Sequence, residues 1–286
     1  MNTLDKFLTR AEALLERVET VLPPPAREPD WRSAIAFRWT KRNGCGSLHT
    51  VTRPHRIRLK DLCGIDEQKT RIEQNTRQFV AGRSANNVLL TGARGTGKSS
   101  LVKAVLSQHA RQGLRLIEVD KNDLTDLPEI VEFIAERPER FIIFCDDLSF
   151  EASEAGYKAL KSVLDGSITG MPDNLLLYAT SNRRHLMPEF MADNLEAKRV
   201  GDEIHPGETV EEKNSLSERF GLWLSFYPFD QDHYLAIAQH WLREYGLTAK
   251  EAEAARAEAL LWALTRGSRS GRVAWQFARD YAGRNK

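Results

Sequence analysis

The sequence predicts a three-layer αβα fold around a five-stranded parallel sheet, and three observations predict it. Five short apolar runs, at residues 88–90, 114–119, 141–145, 175–179 and 222–226, are each the length of a buried strand. Segments of helical period separate them, with Leu127, Ile130, Val131 and Ile134 on one face and Tyr157, Leu160, Val163 and Leu164 on another. The third observation is a glycine-rich stretch set between the first run and a helical pattern carried by Leu101, Val102, Val105 and Leu106.

Composition narrows the class. The chain has 286 residues, 41% hydrophobic and 28% charged, which fits one or two ordinary globular domains. A net charge of +1 excludes a globally basic coat for nucleic acid but allows a local basic patch. The three cysteines, Cys45, Cys63 and Cys145, form no C-x-x-C pair and have no histidines at zinc spacing, so they read as reduced thiols. No apolar run approaches the ~18 residues of a membrane span and no signal-peptide core opens the chain. The expectation is a cytoplasmic protein with no membrane partner.

In chain order, Leu4, Leu8, Ala11, Leu15, Val18 and Leu22 recur in steps of four and three, an amphipathic helix ended by Pro23-Pro24-Pro25. It either packs on its own domain or docks a partner, and it is too short to stand alone as a coiled coil. Residues 31–60 hold eight Lys or Arg and no Asp or Glu, with Trp31, Phe37 and Trp39 among the first of them. Such a segment either grips a phosphate backbone and stacks on bases, or is a β segment whose cations are solvated or paired with acids. From Asp61 the pattern turns helical through Ile65, Ile72, Phe79 and Val80. Residues 183–218 are irregular, polar and acid-rich, and a connection of that length is functional or mobile. Residues 231–245, 249–265 and about 270–281 read as helices, with stops at Gly246 and Gly267. Three parts follow: an N-terminal helix and basic arm (1–56), an α/β core (57–229) and a helical lid (230–286).

The glycine-rich stretch carries the chemistry. Gly92, Ala93, Arg94, Gly95, Thr96, Gly97, Lys98 and Ser99, with Ser100 following, fit the phosphate-loop pattern G-x-x-x-x-G-K-[ST] without a mismatch. Glycines let the backbone curl so that its N–H groups and the helix N-terminus face phosphate oxygens. Lys98 is expected on the β- and γ-phosphates of a nucleotide and Ser99 on Mg²⁺. The run Phe141-Ile142-Ile143-Phe144-Cys145-Asp146-Asp147 then sends two carboxylates out of a buried strand end. Asp146 is expected to orient Mg²⁺ through water, and Asp147 to polarise an attacking water.

At this point the chain resembles the AAA+ ATPases. LLLYATSN at residues 175–182 resembles the family's sensor 1 strand, which implies Asn182 as the polar residue near the γ-phosphate. DLCGID at 61–66 resembles the box that closes over adenine, with Ile65 as the apolar contact. LSERFG at 216–221 resembles box VII, which implies that Arg219 reaches the ATP of a neighbouring subunit. GSRSGR at 267–272 resembles the start of the sensor 2 helix, with Arg272 the choice and Arg269 the reserve. More distant likenesses are to helicase-loader and IstB-like ATPases, through DDL and TSNR, and to the initiator DnaA. From about residue 57 onward, DDLSFE, HPGETVEEK and RFGLWLSFYPFDQ resemble a bacterial AAA+ family designated domain of unknown function 815. The resemblance implies ATP and Mg²⁺ as ligands, a homo-oligomer, and ATP between core and lid. It leaves three readings: an oligomeric ATPase remodelling an unidentified macromolecule, a protein client or DNA; a slow-hydrolysing ATP-dependent switch; or a DNA-handling loader.

Two departures bear on these readings. Most AAA+ ATPases have Glu where this chain has Asp147, one methylene shorter, which points to slow turnover or to use of Glu151. The acidic connection before box VII is also longer than a minimal core needs.

Overall fold

A computed structural model of the chain describes residues 3–21, 29–42, 44–150, 155–166, 170–183, 198–200, 203–205 and 216–284. Its centre is a seven-stranded sheet. In chain order the strands are β1 (Ala36–Arg42), β2 (Cys45–Thr50), β3 (Val88–Gly92), β4 (Leu114–Glu118), β5 (Arg140–Cys145), β6 (Leu175–Ser181) and β9 (Leu222–Phe226). Their spatial order is β2-β1-β4-β5-β6-β3-β9. The last five in that order are the expected parallel strands, and they place the phosphate-loop strand β3 between β6 and β9.

The sheet is larger than the five parallel strands expected. Residues 36–50, expected within an arm of residues 1–56, supply its other two strands. β1 pairs parallel to β4, from Ala36 opposite Leu116 to Arg38 opposite Glu118, and β2 returns antiparallel along β1. Alternation explains the placement. Phe37 and Trp39 point into the core, fully and almost fully buried, while Arg38 between them is exposed. Trp31 is also buried, its ring 4.5 Å from Phe37 and 5.0 Å from Phe141. These aromatics form core, so they are not a stacking surface for bases. The cations beside them have acid partners: Arg38 with Glu118 at 2.7 Å and Lys41 with Asp126 at 2.7 Å.

Side chains of period two split the sheet into two apolar layers. Leu89, Ile117, Phe141, Ile143 and Leu177 face one side, where α4 (Leu127–Ile134) and α5 (Ala155–Asp165) cover them. Val88, Leu90, Leu116, Ile142, Phe144 and Tyr178 face the other, under α2 (Asp66–Val80) and α3 (Lys98–His109). The lid is a separate apolar cluster made by α6 (Gln231–Glu244), α7 (Ala249–Ala254), α8 (Arg256–Thr265) and α9 (Gly271–Arg284), centred on Tyr234 and Phe277. The expected helix at 249–265 is thus two helices meeting at Ala255.

Two further pieces lie outside this frame. The irregular connection contains a short antiparallel pair, β7 (Lys198–Val200) and β8 (Glu203–His205). The first helix, α1 (Thr3–Val21), leaves Leu4, Phe7, Leu8, Leu14 and Leu15 at least half exposed, so this part of its apolar stripe is not packed on the sheet. Leu22, at the end of that stripe, lies outside the described residues. Among the described residues no helix is long and apolar enough to cross a membrane.

Candidate functional site

The loop after β3 is shaped by close backbone approach. A side chain at Gly92 would stand 1.9 Å from the Phe226 carbonyl, and the backbone there has φ 128°, a region that favours glycine. Closeness serves a purpose, because Ala93 N–H donates to that same carbonyl at 3.1 Å and anchors the loop to β9. Gly95, at φ 74°, lies under the start of α9, where an added Cβ would meet Ser270 Oγ at 2.8 Å. Helix α3 opens at Lys98, so its unpaired N–H groups face the hollow of the loop.

Lys98 is buried, and its ammonium donates to the carbonyls of Gly92 at 2.7 Å and Ala93 at 2.8 Å and to Asn182 Oδ1 at 3.0 Å. Burial lowers its pKa, against the opposing pull of Asp147 and Asp146. The expected Lys98 and Asn182 are therefore in direct contact across 84 positions of sequence.

The two carboxylates leave β5 as expected. Ser99 Oγ donates to Asp146 Oδ1 at 2.6 Å, joining the loop hydroxyl and the first carboxylate. Asp147 accepts a short hydrogen bond from Asn182 Nδ2. Its backbone has φ 54°, and among the described residues it is the one non-glycine with positive φ. Just before it, Cys145 is wholly buried, its thiol pushed up to about 12 by desolvation and so inert.

These groups line one side of a cavity of about 680 Å³ between core and lid. Arg94, Gly95, Thr96, Gly97, Lys98, Ser99, Ser100, Asp146, Asp147 and Asn182 make its polar wall, and Arg272 enters from α9. Ile57, Leu62, Cys63, Ile65, Ile237 and Trp241 make the apolar end. Ile65 is close enough to the loop that a Cβ on Gly97 would stand 3.6 Å from it. Gly92 and Ala93 sit behind the wall, contributing the carbonyls that hold Lys98. Lid and core are tied next to this end: Arg58 bonds Asp61 at 2.8 Å and also reaches Glu244 of α6. Burial works to raise the Asp61 pKa, yet its bonds to Arg58 hold it below the ordinary carboxylate value.

Three expected residues stand elsewhere. Arg219 is not part of the cavity wall; its guanidinium pairs with Asp165 at the end of α5 in the same chain. Arg269 does not line the cavity either, in contrast to Arg272. Glu151, the alternative carboxylate, lies outside the described residues. Conversely, the cavity includes His55, Leu62, Phe229, Trp241, Trp275 and Thr180, which the sequence did not single out as site residues. Thr180 was visible as part of TSN, but only its place on β6 beside β5 brings it to Asp146. Trp241 and Trp275 lie in segments that the sequence marks only as helices.

The residues suit the expected ligands. Ser99 and Asp146 are hard oxygen donors already side by side, the donor type Mg²⁺ requires. The α3 N-terminus, Lys98, Arg94 and Arg272 gather positive charge where phosphates would lie, and the apolar end offers Trp241 and Ile65 to a flat base.

Comparison with known proteins finds similarities of three kinds. An ATP-dependent zinc metalloprotease FtsH of Rhodothermus marinus is 30% identical over 88 residues, 28% of this chain, and the chain spans only 12% of that relative's length. Among solved structures, a single-residue variant of RuvB of Thermotoga maritima is similar over 78% of this chain and 63% of its own, at 15% identity and a TM-score of 0.48. The ORC1 protein of Aeropyrum pernix in complex with DNA is similar over 79% of this chain and 62% of its own, at 15% identity and a TM-score of 0.49. The family described as "Protein of unknown function (DUF815)" matches residues 32–285, which takes in the sheet, the phosphate loop and the whole lid, and the chain belongs to that family.

Proposed function

We propose that this chain is an ATPase that binds ATP with Mg²⁺ between core and lid and couples its hydrolysis to remodelling or regulating a macromolecular partner. The observation that carries this reading is the hydrogen-bonded run Lys98–Asn182–Asp147 lying beside Ser99–Asp146 at the strand ends. In this reading Lys98 and Arg272 hold the phosphates, and Asn182 orients the water that gives its proton to Asp147 as it attacks the γ-phosphorus, breaking the bond to the β–γ bridging oxygen and releasing ADP and phosphate. Ser99 and Asp146 hold Mg²⁺, which when bound offsets charge on the β- and γ-phosphates. Ile65 and Trp241 exclude water from the base. Cys45, Cys63 and Cys145 are free thiols, which fits a reducing cytoplasm.

The runner-up is a switch that binds ATP and hydrolyses it rarely. It is favoured by the short Asp147 side chain, held by Asn182. A homo-oligomer, with Arg219 serving a neighbour's ATP, belongs to the first reading, and the switch would act as a monomer. A protein client fits better than DNA, because Trp31, Phe37 and Trp39 are core and Arg38 and Lys41 are ion-paired.

Calorimetry on Lys98→Ala tests the reading. Losing the charged hydrogen bonds to phosphate should weaken ATP binding by about 2–4 kcal/mol, or ~30- to 1000-fold. Unchanged affinity would sink it.

A further inference from the structure

We infer that Thr180 is a positioning residue for both carboxylates, a role that rests on the nucleotide reading above and adds a member to its machinery. Strand β6 is buried along its whole length, and Thr180 is 1% exposed. A hydroxyl at such a depth must find partners, and it finds them on the two residues that matter here. Thr180 Oγ1 donates to Asp146 Oδ1 at 2.6 Å and accepts from the Asp147 N–H at 2.9 Å.

The need for it follows from the sheet. The β5–β6 ladder ends with Cys145 opposite Ala179, and from Asp146 the chain turns out of strand geometry. Ladder bonds no longer fix the backbone at the place where the carboxylates must be aimed. Side-chain and backbone groups of β6 replace them: besides the two bonds of Thr180 Oγ1, the Thr180 carbonyl accepts from Leu148 N–H at 2.7 Å, and Ser181 Oγ donates to the Leu148 carbonyl at 2.7 Å. Between these anchors Asp147 is held at φ 54°, a left-handed conformation that a non-glycine residue adopts only when its surroundings enforce it. The hydroxyl thus does two things at once. Together with Ser99 Oγ it occupies Oδ1 of Asp146, which assigns Oδ2 to the metal's water shell. It also locks the turn that presents Asp147 to Asn182. A threonine methyl merely filling the core would need neither bond.

The full-length chain carries the test. Thr180→Val keeps the shape and β-branching and removes the hydroxyl; Thr180→Ser keeps the hydroxyl. Three measurements are made: binding of a fluorescent ADP in EDTA, binding of Mn²⁺ to the complex with a non-hydrolysable ATP analogue by electron paramagnetic resonance, and steady-state ATP turnover. Thr180→Val should bind ADP in EDTA like the parent. Its Mn²⁺ affinity should fall by ~10- to 100-fold, the worth of one hydrogen bond to a charged group. Its kcat should fall with little change in KM for ATP, and Thr180→Ser should recover most of both losses. Parental Mn²⁺ affinity and kcat in Thr180→Val would overturn the inference. So would equal losses in Thr180→Ser, or loss of metal-free ADP binding, either of which marks a role in packing alone. If the valine variant does not fold, Thr180→Ala is held to the same outcomes. A parent that binds no nucleotide would overturn the nucleotide reading and this inference with it, whereas a sound parent with an unaffected valine variant overturns this inference only.

Discussion

The ammonium of Lys98 stands 3.0 Å from Oδ1 of Asn182, joining the phosphate loop to the end of β6. Asn182 turns its other end, Nδ2, to Asp147, so one amide side chain touches both the loop cation and the carboxylate proposed to act on water. Two hydrogen bonds thus link Lys98 to Asp147 through one side chain.

Asp147→Asn should therefore separate binding from turnover. The amide cannot accept a proton from water at neutral pH, so hydrolysis should drop by ~10²-fold or more while ATP affinity stays near the parent's. Phosphate release and calorimetry on the same preparation check it. Equal hydrolysis in both proteins would move the role to Glu151.

Arg219 allows a test of assembly. Its ion pair with Asp165 lies off the cavity wall, which fits a residue serving a neighbour or one holding α5. Under the trans reading, Arg219→Ala subunits bind ATP but are inactive alone, and mixing them with Lys98→Ala subunits restores part of the turnover. An intersubunit arginine is worth ~10³–10⁵ in rate elsewhere. No recovery in demonstrated mixed assemblies counts against it.

The sheet edge makes a stability prediction. Phe37 is fully buried, and Phe37→Ala should cost about 3–5 kcal/mol in urea unfolding. Arg38→Ala, which removes an exposed ion pair, should cost less than about 1 kcal/mol. A chain lacking residues 1–56 loses β1 and β2 and should fail to give a cooperative transition.

Acid should weaken the same edge. Burial works to raise the pKa of Asp126, but bonds from Lys41 at 2.7 Å and from Trp39 Nε1 at 3.0 Å leave it below the ordinary value. A carboxylate whose folded pKa is depressed contributes stability above its unfolded value, and that contribution is lost as pH falls from about 4 toward the folded pKa. The melting temperature of Asp126→Asn should lie below the parent's at pH 7, and the gap should shrink below pH 4. A gap independent of pH would contradict the assignment.

What could be read in the chain was what neighbours in sequence decide. Four of the five parallel strands were legible because a strand buried on both faces is a short apolar run, the edge strand β9 because Leu222, Leu224 and Phe226 still bury one face, and the phosphate loop because its glycines, Lys98 and Ser99 must sit at fixed spacing. Asp146 and Asp147 were legible because they close such a run. Strand β1 was hidden because Arg38 lies between Phe37 and Trp39 and Lys41 and Arg42 follow them, and a strand with one polar face reads like a basic, aromatic arm.

Tertiary structure decided everything that depends on partners far along the chain. The partners of Arg38 and Lys41 lie 80 and 85 residues away, so no local pattern distinguishes a cation paired with an acid from one free to meet phosphate. Arg272 rather than Arg269 enters the cavity because α9 starts on Gly95, a contact set by the packing of the lid. Thr180 reaches Asp146 only because β6 lies beside β5 in parallel register, which is a property of the sheet and not of either strand. Local sequence specifies backbone conformation and the chemistry each segment can offer; which groups meet is fixed by strand order and burial, where desolvation forces every polar group to find its partner.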